Sequence, residues 1–202
     1  MDHILTEKHR QLKEKTRTFV EKEISSGLAQ TIEAADEFPF ELMQKLADQG
    51  FWAINVPEEY GGPGIEDFRF EQIVIEETMR HGDLGLFITL HSRLVGPYIG
   101  HLGSEPLKER LLPRCVSGET ILGIAMTEPG AGSDLAGIKS RAVRDGDDWI
   151  LNGSKTYISN GINGSAFVVA ARTVPDKPHG IGLFVVEEGM EGFSRGRNLA
   201  KM

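Results

Sequence analysis

The chain has 202 residues, 40% of them apolar and 26% charged, with a formal net charge of −8. This is the composition of an ordinary globular protein, long enough for one large domain or two modest ones. The acidic balance argues against non-specific nucleic-acid binding and against an anionic membrane surface, and no apolar run approaches the ~20 residues that span a bilayer.

Residues 6–24 carry Leu12, Phe19, Val20 and Ile24 among charges, the pattern of an amphipathic surface helix. Pro39 is placed to begin a second helix, with Phe40, Leu42, Met43 and Leu46 at helical spacing and Gly50 ending it. Residues 51–64 include Val56-Pro-Glu-Glu-Tyr-Gly-Gly-Pro-Gly64, which holds too many breakers for anything but a loop. Asp67 precedes Phe68, Phe70, Ile73, Val74 and Ile75, predicting a long buried helix to about Met79. Residues 83–100 are apolar with few charges and read as a helix inside a bundle. Ser104 is expected to cap a short helix that Glu105-Pro106 starts and Pro113 closes.

Near Gly118 the character changes. Strand-type runs at 121–126, 138–143, 149–151, 155–158, 167–172, 181–186 and 192–197 alternate with turns. Asp145-Gly-Asp-Asp148 and Asn152-Gly153 are hairpin signals. The expected fold class is α+β, a helical bundle domain over 1–119 followed by an antiparallel β-barrel or sandwich over 120–202. The chain stops at Lys201-Met202 directly after a strand-type run, which reads as a truncated second domain.

Several residues carry no special chemistry by pattern. Cys115 is the only cysteine, so no internal disulfide forms and a reducing compartment fits. The N-terminus has no signal-peptide apolar region and is not acidic-poor like a transit peptide. The sequons at Asn152 and Asn163 read as turns. His81, His91 and His101 stand ten apart and do not make a metal-ligand set.

The chemistry concentrates in Ile124-Ala-Met-Thr-Glu-Pro-Gly-Ala-Gly-Ser-Asp-Leu-Ala-Gly137. An apolar strand opens there into a turn with Pro129, Gly130 and Gly132, followed by Ser133 and Asp134. Such a turn exposes several backbone N–H groups at one place, a nest for an anionic group such as a phosphate or a flavin ring edge. The Thr127 and Ser133 hydroxyls add donors. Glu128 reads as a carboxylate accepting backbone N–H bonds rather than as a catalytic acid. A second polar-aromatic cluster, Lys155-Thr-Tyr-Ile-Ser-Asn-Gly161, follows about 25 residues on.

Together these clusters resemble the flavin-binding signature of the acyl-CoA dehydrogenases. Leu122-Gly-Ile-Ala-Met-Thr-Glu-Pro-Gly-Ala-Gly-Ser-Asp134 is similar to the family's first signature, Gly50 to Gly64 to its N-terminal loop, and Gly103 to Pro113 to the helix before its β-domain. Asp148-Trp-Ile-Leu-Asn-Gly-Ser-Lys155 and Pro178-His-Gly-Ile-Gly-Leu-Phe184 are nearest the long-chain type. The resemblance implies FAD as cofactor, with Ile124, Ala125, Met126, Thr127, Glu128, Pro129, Gly130, Ala131, Gly132 and Ser133 along its pyrimidine edge and phosphates. It puts Tyr157 against the isoalloxazine, where tryptophan or phenylalanine is more usual, Ile158 beside it, and Ser159 at N5. Ser133 and His179 would meet the acyl-CoA substrate.

The implied reaction is α,β-dehydrogenation of an acyl-CoA thioester to trans-2-enoyl-CoA, as in fatty-acid β-oxidation. A glutamate base, usually from a helical C-terminal domain, is expected beyond Met202, so the isolated chain is expected to be inactive. The family resemblance also implies an electron-transfer flavoprotein as acceptor, a homotetramer or dimer, and a bacterial cytoplasm or mitochondrial matrix. The same fold serves acyl-CoA oxidases and flavin monooxygenases, and a short chain acting only as a binding or assembly module is a further alternative.

Overall fold

The computed structural model describes residues 4–24, 27–28, 40–80, 87–175 and 177–197. The chain divides into two compact units, Met1–Thr120 and Ile121–Met202.

The first unit is helical. Helix α1 (Glu7–Glu23) buries His9, Thr16 and Val20 and packs on α3 (Phe68–Met79). The seam includes an ion pair: Arg17 donates to both Glu77 carboxylate oxygens, at 3.0 and 3.1 Å. Burial raises the Glu77 carboxyl, but the Arg17 hydrogen bonds outweigh burial and hold it below the usual range. Helix α2 (Phe40–Asp48) buries Leu42, Met43 and Leu46; Pro39, expected to open it, lies outside the described residues. The loop that follows makes one 3-10 turn, Glu58–Tyr60. Asp67 caps α3 by accepting from the Arg69 amide at 3.0 Å, as its position predicts.

Two helical expectations need correction. Where one helix was expected over 83–100, the part after residue 87 contains a π-helical stretch, Leu90–Val95, running into α4 (Gly96–Leu102). Pro97 has no N–H to return to the chain, and the turn before it widens. Pro113 does not close α5 (Glu105–Val116) but sits inside it. The helix survives because Leu111, Leu112 and Cys115 are buried around the proline and Ser117 N–H bonds the Pro113 carbonyl at 3.0 Å.

The second unit is one five-stranded sheet of β1 (Leu122–Ala125), β2 (Arg141–Asp145), β3 (Asp148–Asn152), β4 (Ala166–Arg172) and β5 (Ile181–Glu187). It is mixed rather than antiparallel. β4 pairs antiparallel with β5 along its whole length, and parallel with β1 (Leu122 opposite Ala166) and with β2 (Arg141 opposite Arg172). Periodicity predicts strands but not partners, and these parallel pairs join segments about 30 or more residues apart. β2 and β3 form the expected hairpin, with Gly146 at φ 61°. Asn152-Gly153 forms none, because β3 ends at Asn152. Gly153 instead lies against Ser140, where a Cβ would come within 2.2 Å of the hydroxyl oxygen. The runs at 155–158 and 192–197 are not strands. Among the described residues no helix is long and apolar enough to cross a membrane.

Candidate functional site

Strands β1 and β2 meet β4 on the same side, β1 along its first half and β2 at its end. The chain between them, 126–140, is therefore an excursion from the sheet pinned at both ends. Its start is closed by two backbone bonds, Glu128 N–H to the Ala131 carbonyl at 2.8 Å and Ala131 N–H to the Glu128 carbonyl at 3.1 Å. Pro129 and Gly130 occupy the corner. Ala131 packs into a small apolar cluster with Ile138 and Ala170, flanked by Met126 and Ile181. One side of the loop is thus anchored.

The other side is open. Neither Gly130 nor Gly132 has a positive φ, and a Cβ at either would meet nothing within 4 Å. The fold itself does not require glycine at these positions. Close approach of something to the backbone does. The amides of Gly130, Gly132 and Ser133 have no hydrogen-bond partner among the described residues, nor do the hydroxyls of Thr127 and Ser133. Asp134 is used internally, accepting from the Ala136 amide at 3.1 Å to cap the 3-10 turn Leu135–Gly137.

Glu128 holds the excursion together. Its carboxylate accepts from the amides of Lys139 at 2.6 Å and Ser140 at 2.9 Å, and from the Lys155 ammonium at 2.9 Å. Burial pushes this carboxyl up, but the hydrogen bonds from Ser140, Lys139 and Lys155 outweigh burial and bring it down to about 2. It is an ionised structural strap, with its amide partners 11 and 12 residues further on rather than in its own turn.

Lys155 was missed as a site residue by sequence reasoning. Its ammonium also donates to the Met126 carbonyl at 3.0 Å, and the Thr156 amide donates to the Thr127 carbonyl at 2.9 Å. These bonds lay the second cluster alongside the first. The signal was a lysine within a run of strand type: a buried lysine is almost always paired. The run is not a strand because Tyr157 and Asn160 take left-handed backbone, φ 56° and 60°. Asn160 fixes the turn by donating to the Leu122 carbonyl at 2.9 Å. Tyr157 is left 75% exposed, a large aromatic face held out by unfavourable backbone. The Ser159 hydroxyl has no partner among the described residues.

The remaining expected site residues divide by position. Ile124 and Ala125 lie in β1 opposite Val168 and Val169, and the Ile158 carbonyl accepts from Gly161. Pro129 is exposed. His179 is exposed in the turn before β5, with none of the flavin-cluster residues among its hydrogen-bond partners. Cys115 is buried, and His91 stacks on Trp52 with ring centroids 4.1 Å apart. Burial lowers the His91 pKa to about 3. His81 lies outside the described residues.

Comparison with known proteins gives a consistent set. The family model described as acyl-CoA dehydrogenase, N-terminal domain, matches residues 6–119, and that described as acyl-CoA dehydrogenase, middle domain, matches 123–202. The chain is 42% identical to the mitochondrial long-chain specific acyl-CoA dehydrogenase of Sus scrofa over 98% of its own length and 46% of the relative's. A crystal structure of an acyl-CoA dehydrogenase from Geobacillus kaustophilus superposes with a TM-score of 0.93 at 44% identity, covering 98% of this chain and 52% of that one. A Mycobacterium smegmatis glutaryl-CoA dehydrogenase solved with FADH2 gives a TM-score of 0.86 at 30% identity, covering 96% and 49%. The chain thus spans about half the length of these relatives.

Proposed function

The chain belongs to the acyl-CoA dehydrogenase family, and from that premise we propose that it is the helical and flavin-facing part of a FAD-dependent enzyme converting acyl-CoA thioesters to trans-2-enoyl-CoA. One observation carries the flavin side of this reading. The 127–133 loop keeps two glycines and three amides turned to empty space although its own fold needs neither glycine.

FAD, when bound, supplies the acceptor for the hydride that leaves the substrate β-carbon. The chain's own residues do the rest. Gly130, Gly132 and Ser133 would offer N–H donors to the phosphate and pyrimidine side, with Thr127 adding its hydroxyl and Met126 its backbone. Tyr157 would stack on the isoalloxazine. Ser159 would donate at N5, where a donor favours the electron-rich product state. Ile124 and Ala125 fix the loop's root in the sheet, and Ala131 and Glu128 fix its shape. Ser133 and His179 would meet the coenzyme A arm.

Glu128 is a poor candidate for the base that removes the α-proton. A base must be free to accept, and its carboxylate already accepts three donors. The reading assigns the base to none of these 202 residues. It also expects long-chain substrates, an electron-transfer flavoprotein as acceptor, a homo-oligomer, and a bacterial cytoplasm or mitochondrial matrix.

The test is a visible absorption spectrum after incubation with FAD and gel filtration, followed by steady-state assay with a series of acyl-CoAs and an artificial electron acceptor. Retained flavin without turnover is the expected result. Turnover would overturn the assignment of the base, and loss of all flavin would overturn the claim that these clusters hold the cofactor without further protein.

A further inference from the structure

Beside the flavin-facing loop, on the sheet end where β2 joins β4, lies a separate cleft of about 450 Å³ lined by Ala136, Ile138, Lys139, Arg141, Arg172, Pro175, Lys177 and Pro178. Four of these are cations, and none is a carboxylate among the described residues. Asp176, next to Lys177 in the chain, lies outside the described residues. None of the four cations is in an ion pair with a carboxylate among the described residues.

This is not the background of the unit. Residues 121–202 carry nine basic and nine acidic side chains. Six of the acids, at 145, 147, 148, 187, 188 and 191, lie at the β2–β3 hairpin or in and just after the end of β5. The cations are left concentrated at the cleft.

Register makes the imbalance sharper. Arg141 and Arg172 are direct partners across the parallel β2–β4 pair. Like charges opposite one another destabilise a sheet, by roughly 0.2–1 kcal/mol on the scale of cross-strand pairs. A local rule broken without a structural counter-ion marks a functional position.

Arg172 is also the frame of the cleft. Its guanidinium donates to the carbonyls of Ala136 at 2.6 Å, Ile138 at 3.3 Å and Lys177 at 2.5 Å. It thereby ties the 3-10 turn after the flavin-facing loop to the loop before β5. With most Arg172 donors so engaged, Lys139, Arg141 and Lys177 are the side chains left to meet a ligand.

We propose that this cleft is a binding site for the phosphate-rich end of an adenine nucleotide ligand, with Lys139, Arg141 and Lys177 as the contacting cations and Arg172 as the positioning residue. The chemistry fits. A pyrophosphate or phosphomonoester brings two or more negative charges and many acceptor oxygens. A guanidinium binds these in a fork, and ammonium groups bind them as point charges. The volume suits a phosphate group with its sugar rather than a whole cofactor. The proposal rests on the family reading for the identity of the nucleotide, which coenzyme A and FAD could both supply, but not for the site itself.

The experiment is calorimetric titration of the full 202-residue chain with inorganic pyrophosphate, coenzyme A, 3′-dephospho-coenzyme A and FAD. It is repeated at two salt concentrations and on the triple variant Lys139→Gln, Arg141→Gln, Lys177→Gln, with circular dichroism to verify the fold. Wild type is expected to bind pyrophosphate competitively with the nucleotide. The folded triple variant is expected to lose at least tenfold in affinity and to show a weaker salt dependence, since three screened charges are gone.

If coenzyme A is the source, removal of its 3′-phosphate weakens wild-type binding and the triple variant affects coenzyme A. If FAD is the source, the variant affects FAD alone. Either result supports the cleft. Pyrophosphate binding that is absent from wild type, or unchanged in the folded variant, overturns it. Should the triple variant fail to fold, Lys139→Gln with Lys177→Gln, both exposed side chains, carries the same test with at least a threefold loss expected. Flavin retention at Tyr157 is read separately by absorbance, so failure of the cleft and failure of the flavin reading give different results.

Discussion

Two glycine-rich loops of this chain look alike as sequence and are opposites as structure. In the 56–64 loop glycine serves the chain itself. Gly61 sits at φ 83°, and a Cβ on Gly62 would lie 2.1 Å from the Val56 carbonyl oxygen. In the 127–133 loop glycine serves nothing inside the fold: Gly130 and Gly132 have ordinary backbone and open space. A glycine that the fold does not need, beside amides that the fold does not bond, points outward to a ligand. Composition alone would have rated the two loops equally.

The largest effect that would sharpen this contrast lies in the strap behind the second loop. Glu128→Ala leaves the Lys155 ammonium, only 10% exposed, without its carboxylate and strands two amides. We expect a loss of about 3–5 kcal/mol in local stability, read as faster hydrogen exchange at Lys139 and Ser140 and loss of bound FAD. Unchanged exchange would mean that the strap is dispensable.

Next is Gly62→Ala, expected to destabilise the helical unit by about 3 kcal/mol because a backbone carbonyl must move. The measurement is the denaturant midpoint followed by far-ultraviolet circular dichroism. Gly132→Ala is the counterpart. It is expected to leave stability within about 0.5 kcal/mol yet to weaken FAD retention at least tenfold after gel filtration. If Gly132→Ala unfolds the unit as Gly62→Ala does, the contrast between the loops is broken. Tyr157→Ala removes a ring that is 75% exposed. Its stability should change by less than about 0.5 kcal/mol, with the loss confined to FAD affinity.

Acid gives the gentlest probe. The Glu128 carboxyl sits at about 2 in the fold against an ordinary 4.5. A depressed carboxyl contributes stability that is fully present above its unfolded value and is lost as pH falls toward its folded value. FAD retention should therefore hold above pH 5 and decline between pH 4.5 and about 2. The decline should be absent in Glu128→Gln, whose baseline retention is already reduced.

The helical half was legible where burial and capping act over a few residues: α1, α2 and α3 follow their apolar spacing and the Asp67 cap. It was misread where a proline sits in a helix that tertiary burial sustains, as at Pro113. The β half was legible as strands and one hairpin, but not as a mixed sheet. In the site, the residue types of both clusters stood in the sequence, while the bonds joining them did not. Lys155 reads locally as the start of a strand, and only the fold turns its ammonium back to Met126 and Glu128.

By itself the sequence determined the helical-then-β order, the glycine-rich turn and the polar-aromatic cluster, because periodicity and turn chemistry are local properties of the chain. Tertiary structure alone decided that β4 pairs parallel with β1 and β2, that Glu128 is a strap, that Gly130 and Gly132 are free, and that four cations share one cleft. Each of these depends on segments tens of residues apart meeting in space, where the energy of a charge or a hydrogen bond is set by what faces it rather than by its neighbours in the chain.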